Sequence, residues 1–186
     1  AKTMRIISGQ FKGRRIRTVD GLSVRPTSDR LRETLFNILS PQVVDARFLD
    51  LCAGSGAVGI EALSRGASQV TFVENARHAI RMLIDNLTAL DIDDGVDLIQ
   101  RDVLKALKQL ITEDRSYDII FFDPPYASPV YQPVMKQLGE SNVLSPEGWL
   151  VVEHHAKQTL LETVGRLRRF REVRQGETVL SFYTNV

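Results

Sequence analysis

The sequence RFLDLCAGSGAVG, residues 47–59, decides the fold that this chain is expected to adopt. It begins with an apolar run of strand length and ends with the pattern G-x-G-x-x-G, formed by Gly54, Gly56 and Gly59. Glycines between a strand and a helix let the backbone approach a ligand closely, and the free amides of the helix N-terminus attract negative groups. The stretch therefore predicts a nucleotide-type cofactor site in an α/β domain. The alternative is that the glycines serve only tight packing of the strand on the helix.

Alternating strand and helix patterns continue along the chain on the C-terminal side of this stretch. Strands are predicted at 47–51, 69–73, 96–99, 117–122 and 149–153, and helices at about 57–65, 76–90, 103–112 and 130–140. Short connections between such units imply a mostly parallel sheet with helices on both faces. A closing β-hairpin, 167–173 and 178–183, completes a Rossmann-like, mostly parallel seven-stranded sheet with a C-terminal antiparallel hairpin.

The first part of the chain carries a strong excess of positive charge. Residues 1–32 hold nine Lys and Arg against two Asp, a net of +7, and the remainder holds 15 basic against 21 acidic residues, a net of −6. Two short strands, 5–8 and 14–19, and a helix over 28–39 that Pro41 ends are predicted here.

This charge distribution predicts a basic hairpin-helix extension over 1–41 that docks nucleic acid, followed by the main domain over 42–186. The alternative is a solvated basic surface without a partner. The candidate phosphate contacts are Arg14, Arg15, Arg17, Arg25, Arg30 and Arg32.

A second motif, Asp123-Pro124-Pro125-Tyr126, follows the apolar run at 117–122 and is expected just past the end of a buried strand. Its two prolines stiffen the backbone and remove two amide donors, which leaves a carboxylate, peptide carbonyls and an aromatic ring. Such a set accepts hydrogen bonds from a flat base with an amino group and stacks on its face. The alternative is a loop in which Asp123 only caps the next helix.

Acidic residues lie at or near the ends of four successive predicted strands: Asp50, Glu74, Asp102 and Asp123. The carboxyl ends of the strands form the edge at which open α/β sheets bind ligands. Glu74 lies 18 residues beyond Gly56, about where an acid holds a ribose diol, so these two features fit NAD or any nucleoside cofactor. Four acids disfavour a pyrophosphate and favour a cationic ligand such as S-adenosylmethionine (AdoMet). Helix capping is the alternative for any single acid.

The composition is typical of a globular protein and excludes some classes of site and partner. The 186 residues are 43% hydrophobic and 25% charged, and no apolar run approaches the roughly 18 residues of a membrane span. The lone Cys52 excludes an internal disulfide and fits a reducing compartment. His78, His154 and His155 have no metal-ligand spacing. We therefore expect a cytoplasmic, monomeric protein without a metal or a membrane partner.

Together these motifs resemble the class I AdoMet-dependent methyltransferases. More narrowly, the chain is similar to the bacterial small-subunit (16S) rRNA guanine-N2 methyltransferase family (RsmD), through RIISG at 5–9, RPTSDRLRETLFNIL at 25–39 and the Asp-Pro-Pro-Tyr motif. The resemblance covers residues 4 to about 155. It implies that Asp50, Gly54 and Gly56 line the methionine end of AdoMet, Glu74 holds the ribose, Asp102 and Val103 hold the adenine, and Asp123, Pro124, Pro125 and Tyr126 receive the target base.

The resemblance also implies an activity. A methyl group would pass from AdoMet, leaving S-adenosylhomocysteine, to the exocyclic N2 of a guanine in small-subunit rRNA or in the assembling small subunit. The edge of guanine offers N1–H beside the N2 amino group, two adjacent donors that one carboxylate accepts. Two alternatives stay open: adenine-N6 methylation of DNA or RNA, and a non-catalytic AdoMet-sensing protein that binds nucleic acid.

Overall fold

The computed structural model describes residues 2–18 and 29–186. Arg25 and the predicted helix start at Ser28 lie outside these residues. In chain order the elements are β1 Lys2–Arg5, β2 Arg15–Thr18, α1 Asp29–Val43, β3 Arg47–Leu51, α2 Ala57–Ser64, β4 Gln69–Val73, α3 Arg77–Ala89, β5 Val96–Ile99, α4 Val103–Thr112, β6 Tyr117–Phe122, α5 Tyr131–Gly139, β7 Leu144–His155, β8 Thr163–Val164, β9 Leu167–Gln175 and β10 Thr178–Asn185.

The main sheet has the strand order β5-β4-β3-β6-β7-β10-β9-β8. Its first five strands run parallel, and β10 pairs antiparallel with both β7 and β9. The predicted Rossmann-like sheet with a C-terminal antiparallel hairpin is thus confirmed. The predicted number of strands is too low by one, because the two-residue β8 pairs with the start of β9.

Both faces of the sheet are covered, since the central strands are apolar on both sides. One core cluster packs α4 and α5 against the sheet. The other packs α1, α2 and α3 on the opposite face, together with Ile6 and Ile16 of the N-terminal hairpin. In the described parts of the chain, no helix has the length and apolar character needed to cross a membrane.

The first helix and the first strand differ from the sequence prediction. α1 runs through Pro41 to Val43, because Leu35, Leu39 and Val43 continue one buried stripe beyond the proline. β1 ends at Arg5, so residues 6–8 do not extend it as predicted. The amides of Ile7 and Ser8 instead donate to the Glu61 carboxylate on α2, at 2.8 and 3.1 Å.

The loop of the N-terminal hairpin lies directly on α2. Gly9 has a φ of +87°, and a Cβ at this position would overlap the Ser64 carbonyl. The amide of Gln10 donates to that carbonyl at 2.8 Å, and the Phe11 amide donates to Ser64 Oγ at 2.9 Å. The hairpin is therefore part of the helical layer on one face of the sheet.

Candidate active site

A cavity of about 840 Å³ opens at the carboxyl edge of β3, β4, β6 and β7. Both sequence motifs line it, although they are about 70 residues apart in the chain. The predicted site residues in its wall are Asp50, Gly54, Glu74, Val103, Asp123, Pro124, Pro125 and Tyr126, together with Arg32 from the predicted phosphate contacts. The parallel topology thus brings the glycine loop and the Asp-Pro-Pro-Tyr motif into one space.

The glycines of the loop have different roles. Gly54 has a φ of +57°, and a Cβ built on it meets no atom within 4 Å, so its backbone is open to the cavity. Gly56, with a φ of +87°, faces away, and a Cβ there would overlap Leu83 on α3. Gly56 is therefore required for packing against α3, and its predicted contact with a cofactor stays a prediction.

Asp50 lies beneath the loop, with 2% of its surface exposed. One carboxylate oxygen accepts the Gly59 amide at 3.0 Å, which ties the strand to the first turn of α2. Burial, together with the negative charges of Asp123 and Glu74, raises the pKa of Asp50 to about 8, against the opposing effect of the Gly59 amide. A cationic ligand in the cavity would relieve this charge repulsion, which suits a sulfonium.

Glu74 fixes the end of β4 against the glycine loop. One oxygen accepts the Gly54 amide at 2.8 Å, and the other accepts the Asn75 and Ala76 amides, each at 2.9 Å. A carboxylate has lone pairs beyond these three bonds, so Glu74 retains acceptor capacity toward the cavity. This arrangement fits the predicted ribose contact.

Asp102 is a helix cap, which was the alternative prediction for each of the four acidic residues. Its side chain caps α4 by accepting the Lys105 amide at 3.1 Å. The cavity wall at this point is formed by Arg101 and Val103 on either side of it. The predicted contact of Asp102 with an adenine amino group stays a prediction.

The Asp-Pro-Pro-Tyr loop presents an exposed aromatic ring beside the cavity. Pro124 is buried, whereas 64% of Tyr126 is exposed. The Ser128 amide donates to the Pro125 carbonyl at 3.1 Å, and Ala127 has a φ of 54°. This tight turn holds Asp123 and Tyr126 on the same short loop.

His155 is a site residue that the sequence prediction missed. Its ring packs edge to face with Tyr126, with centroids 5.2 Å apart at 79°. His155 Nδ1 accepts the Lys157 amide at 3.0 Å, so the ring proton is on Nε2, which lies 2.9 Å from Glu177. The Tyr126 ring is thus supported by a histidine that is itself held on two sides. Only the pairing of β7 with β10 brings Glu177 to this position.

The predicted phosphate-binding arginines of the hairpin are exposed, but two of them contact α3. Arg14 donates to the Ala89 carbonyl at 2.9 Å, and Arg17 lies 3.8 Å from Asp85. Arg15, and Arg30 at the start of α1, are exposed as well. These four side chains are accessible to a polyanion.

Arg32 is buried, which corrects its predicted place among the phosphate contacts. Only 2% of it is exposed, and it lies 3.5 Å from the fully buried Glu61. Burial lowers the pKa of Arg32, while Glu61 and Asp29 act in the opposite direction. Arg32 therefore holds α1 and the hairpin to α2. In the described residues, no cluster of three or more His, Cys, Asp or Glu side chains is arranged to hold a metal ion.

Comparison with known proteins places this chain among methyltransferases. The model of the family described as Conserved hypothetical protein 95 matches residues 4–184. Ribosomal RNA small subunit methyltransferase D of Escherichia coli is 36% identical over 180 residues, 97% of this chain and 89% of the relative. The protein of the same name in Haemophilus influenzae is 36% identical over 159 residues, 85% of this chain and 82% of that protein.

Solved structures show the same fold. A structure from Escherichia coli superposes with a TM-score of 0.87 at 36% identity, covering 99% of this chain and 98% of its own. A hypothetical protein from Thermus thermophilus gives a TM-score of 0.82 at 28% identity, covering 98% and 99%. The match in each case includes the N-terminal hairpin as well as the sheet.

Proposed function

This chain belongs to the family described as Conserved hypothetical protein 95, and from that membership we propose that it is an AdoMet-dependent methyltransferase of small-subunit rRNA, acting on the exocyclic N2 of a guanine. The observation that carries the proposal is that the glycine loop and the Asp-Pro-Pro-Tyr loop line the same cavity. One loop suits a nucleoside cofactor and the other suits a base with an amino group. A common cavity allows the two to meet.

The cavity wall fits AdoMet. Gly54 leaves open space where a side chain would project, Glu74 retains acceptor capacity, and Asp50 is a buried carboxyl close to two further acids. When bound, AdoMet supplies an electrophilic methyl group on a sulfonium and leaves as S-adenosylhomocysteine, while the methylated nitrogen releases one proton to balance the transfer. Gly54 and Asp50 would lie at its methionine end, Glu74 at its ribose and Val103 at its adenine ring.

Asp123 and Pro124 are the residues that would orient the base. The lone pair of an aromatic exocyclic amine is delocalised into the ring, which makes the amine a weak nucleophile. If the Asp123 carboxylate and the Pro124 carbonyl accept the amino protons, the nitrogen becomes more pyramidal and its lone pair is directed along a single line. Positioning of this kind supplies much of the rate in reactions between two bound partners.

Guanine is favoured over adenine by the acceptors available on the loop. Asp123 offers two oxygens to the adjacent N1–H and N2 donors of guanine, whereas adenine has only its amino group as a donor at that edge. Tyr126 would stack on the base, with His155 supporting its ring at 5.2 Å. The names of the relatives favour small-subunit rRNA, free or in the assembling small subunit, as the partner.

Nucleoside analysis after an in vitro reaction tests the proposal. Purified protein, AdoMet and unmodified small-subunit rRNA are incubated, and the digested RNA is analysed by mass spectrometry, with unmodified small subunits as a second substrate. We expect N2-methylguanosine with at least one of them. N6-methyladenosine instead would establish the adenine alternative, and binding of AdoMet without any methylated nucleoside would establish the non-catalytic one.

A further inference from the structure

A second basic segment lies at the opposite end of the chain from the first. Residues 166–175 hold five Arg against one Glu, a net of +4. Residues 33–165 and 176–186 together hold ten basic against 20 acidic residues, a net of −10. The positive charge of the molecule is therefore concentrated in two segments, residues 1–32 and 166–175, on an otherwise acidic protein.

The second segment forms β9 and presents arginines beside exposed aromatic rings. Arg168 and Arg171 are exposed, and within residues 2–18 and 29–186 neither guanidinium has a hydrogen bond or an ion pair. Phe170 is 44% exposed and packs on Trp149, with ring centroids 5.1 Å apart. We refer to Trp149, Arg168, Phe170 and Arg171 as the β9 strip.

The four residues of the strip lie on one face of the sheet. On β10, Phe182 pairs with Arg171 and Thr184 pairs with Arg168, and residues two apart on a strand point to the same face. Thr184 also pairs with Trp149 on β7, which places Trp149 on that face. A register shift at Phe170 inserts this residue between the two arginines, and its ring lies 6.1 Å from that of Phe182. Since Phe182 belongs to the core cluster of α1, α2 and α3, the strip is on the face that carries the N-terminal hairpin.

The C-terminal end of β9 lies next to residues that line the cavity. Gln175 at the end of β9 pairs with Thr178, which in turn pairs with His155, and the last two residues line the cavity. Gln175 also donates to Thr34 on α1 at 2.6 Å, close to the exposed Arg30 in the first turn of that helix. At about 3.3 Å per residue, Arg171 lies roughly 13 Å along the strand from Gln175.

We propose that the β9 strip is an RNA-contact surface that binds the strand adjoining the target nucleotide. Arginine side chains match the charge of a phosphate backbone, and an exposed aromatic ring between them offers a stacking face for a base. A net charge of +4 within ten residues favours a polyanion over an apolar protein partner. The inference rests on the proposed function for the identity of the RNA.

The test uses the full chain with two strip variants and one control. Arg168→Gln with Arg171→Gln removes two charges from the strip, and Phe170→Leu keeps an apolar contact with Trp149 but removes the aromatic face. Lys108→Gln with Lys136→Gln removes two charges from exposed positions on α4 and α5, on the other face. Filter binding to an unmodified small-subunit rRNA transcript is measured at salt concentrations from about 50 to 200 mM, with melting temperature and AdoMet affinity as checks of folding.

The double arginine variant is expected to bind the transcript about tenfold more weakly at low salt, with a log–log salt slope smaller by about 1.4, since each single-strand phosphate contact contributes about 0.7. Phe170→Leu is expected to lose roughly fivefold or more with the slope unchanged. Affinities equal to that of the lysine control would overturn the proposal. So would an unchanged salt slope in the double arginine variant, which would show that the two guanidinium groups contact no phosphate.

The two proposals fail in different ways. If the wild-type protein transfers no methyl group to rRNA or to subunits, the proposed function fails, and the comparison of binding constants still decides the role of the strip. If methyl transfer occurs and the double arginine variant has an unchanged Michaelis constant for RNA, the proposed function stands and the strip does not touch the RNA. A raised Michaelis constant with unchanged kcat supports both.

Discussion

Individual residues in the two loops of the cavity have unusual backbone conformations. Within the described residues, five non-glycine residues have a positive φ, and three of them are Asp, which tolerates this region. The other two are Cys52, with a φ of 61° in the glycine loop, and Ala127, with 54° directly after Tyr126. Such conformations cost about 1–3 kcal/mol and persist where the surroundings impose them. Both loops are thus held in shape by the fold before any ligand binds.

Replacing Asp123 with Ala is expected to lower methyl transfer by at least about 100-fold, because the amine loses the acceptor that orients it. Single-turnover kinetics with saturating rRNA and AdoMet measures this loss. The affinities for AdoMet and for RNA should remain within a fewfold of wild type. A variant that turns over at the wild-type rate would remove Asp123 from the catalytic assignment.

Tyr126 is expected to act through its ring. Tyr126→Ala should weaken productive RNA binding by about 1–3 kcal/mol, the value typical of one base stacked on an aromatic side chain. Tyr126→Phe keeps the ring and its edge-to-face contact with His155, so it should retain nearly full activity. The Michaelis constant for rRNA is the measurement, and a severe defect in the Phe variant would contradict stacking as the main role.

The raised pKa of Asp50 predicts that the free energy of unfolding depends on pH. Its pKa of about 8 in the folded protein lies above its ordinary value of 3.8, so the folded state binds the proton more tightly than the unfolded state. The stabilisation from this group is complete below about pH 4 and is lost as the pH rises toward 8. Asp50→Asn keeps an acceptor for the Gly59 amide but cannot ionise.

Urea unfolding at several pH values checks this expectation. The free energy of unfolding of the wild type should fall relative to that of Asp50→Asn between about pH 5 and pH 8. A constant difference between the two proteins over this range would show that Asp50 does not carry the proton. Bound AdoMet should reduce the fall, because a nearby cation stabilises the ionised carboxylate.

At the scale of elements, the N-terminal hairpin and α1 are fastened to α2 by one buried carboxylate. Glu61 is fully buried, accepts the Ile7 and Ser8 amides, and pairs with Arg32 at 3.5 Å and Arg65 at 2.9 Å. Glu61 thus joins three elements that are separate in the chain. Its removal would leave the Arg32 charge buried beside unpaired amides.

Glu61→Ala is therefore expected to lower the free energy of unfolding by about 3–5 kcal/mol, the range for breaking a buried ion pair. Asp85→Ala is the matched control, because its pair with Arg17 is exposed on both sides and should contribute no more than about 1 kcal/mol. Urea denaturation of both variants gives the comparison. Equal effects of the two substitutions would show that Glu61 is not the anchor.

At the scale of the whole molecule, the positive charge is concentrated in the two basic segments, away from the acidic cavity. The cavity is rimmed by acids, and the residues outside the two basic segments carry a net charge of −10. RNA would be repelled by that part of the protein alone. The basic segments are thus expected to supply most of the attraction for the phosphate backbone, and catalysis and RNA docking are expected to respond to different substitutions.

Changing Arg14, Arg15 and Arg17 together to Ala is expected to weaken rRNA binding strongly at low salt. The salt slope should fall by about 0.7–0.9 for each phosphate group that the variant no longer binds, while AdoMet affinity hardly changes. The bonds of Arg14 and Arg17 to α3 are exposed, so the melting temperature should change little. A lowered melting temperature with unchanged RNA affinity would instead identify the hairpin as a structural lid.

The type of sheet and the edge expected to carry the site followed from the sequence, whereas the order of the strands did not. Apolar runs of strand length alternate with helical stripes, and right-handed crossovers place the ends of the parallel strands at one edge. Gly54 and Asp123 each follow a parallel strand, so both were expected at this edge, and the pairing of β3 with β6 places them side by side.

Interactions between residues far apart in the chain were decided only by the tertiary structure. The charge pattern predicted that Arg32 lies on the surface, but Arg32 is buried in an ion pair with Glu61 on a neighbouring helix. No sequence pattern indicated that Glu177 would hold His155 behind Tyr126, since that depends on the register of β10 against β7. A residue's own neighbours in sequence set its secondary structure, whereas its burial and its charge partner depend on which elements pack beside it.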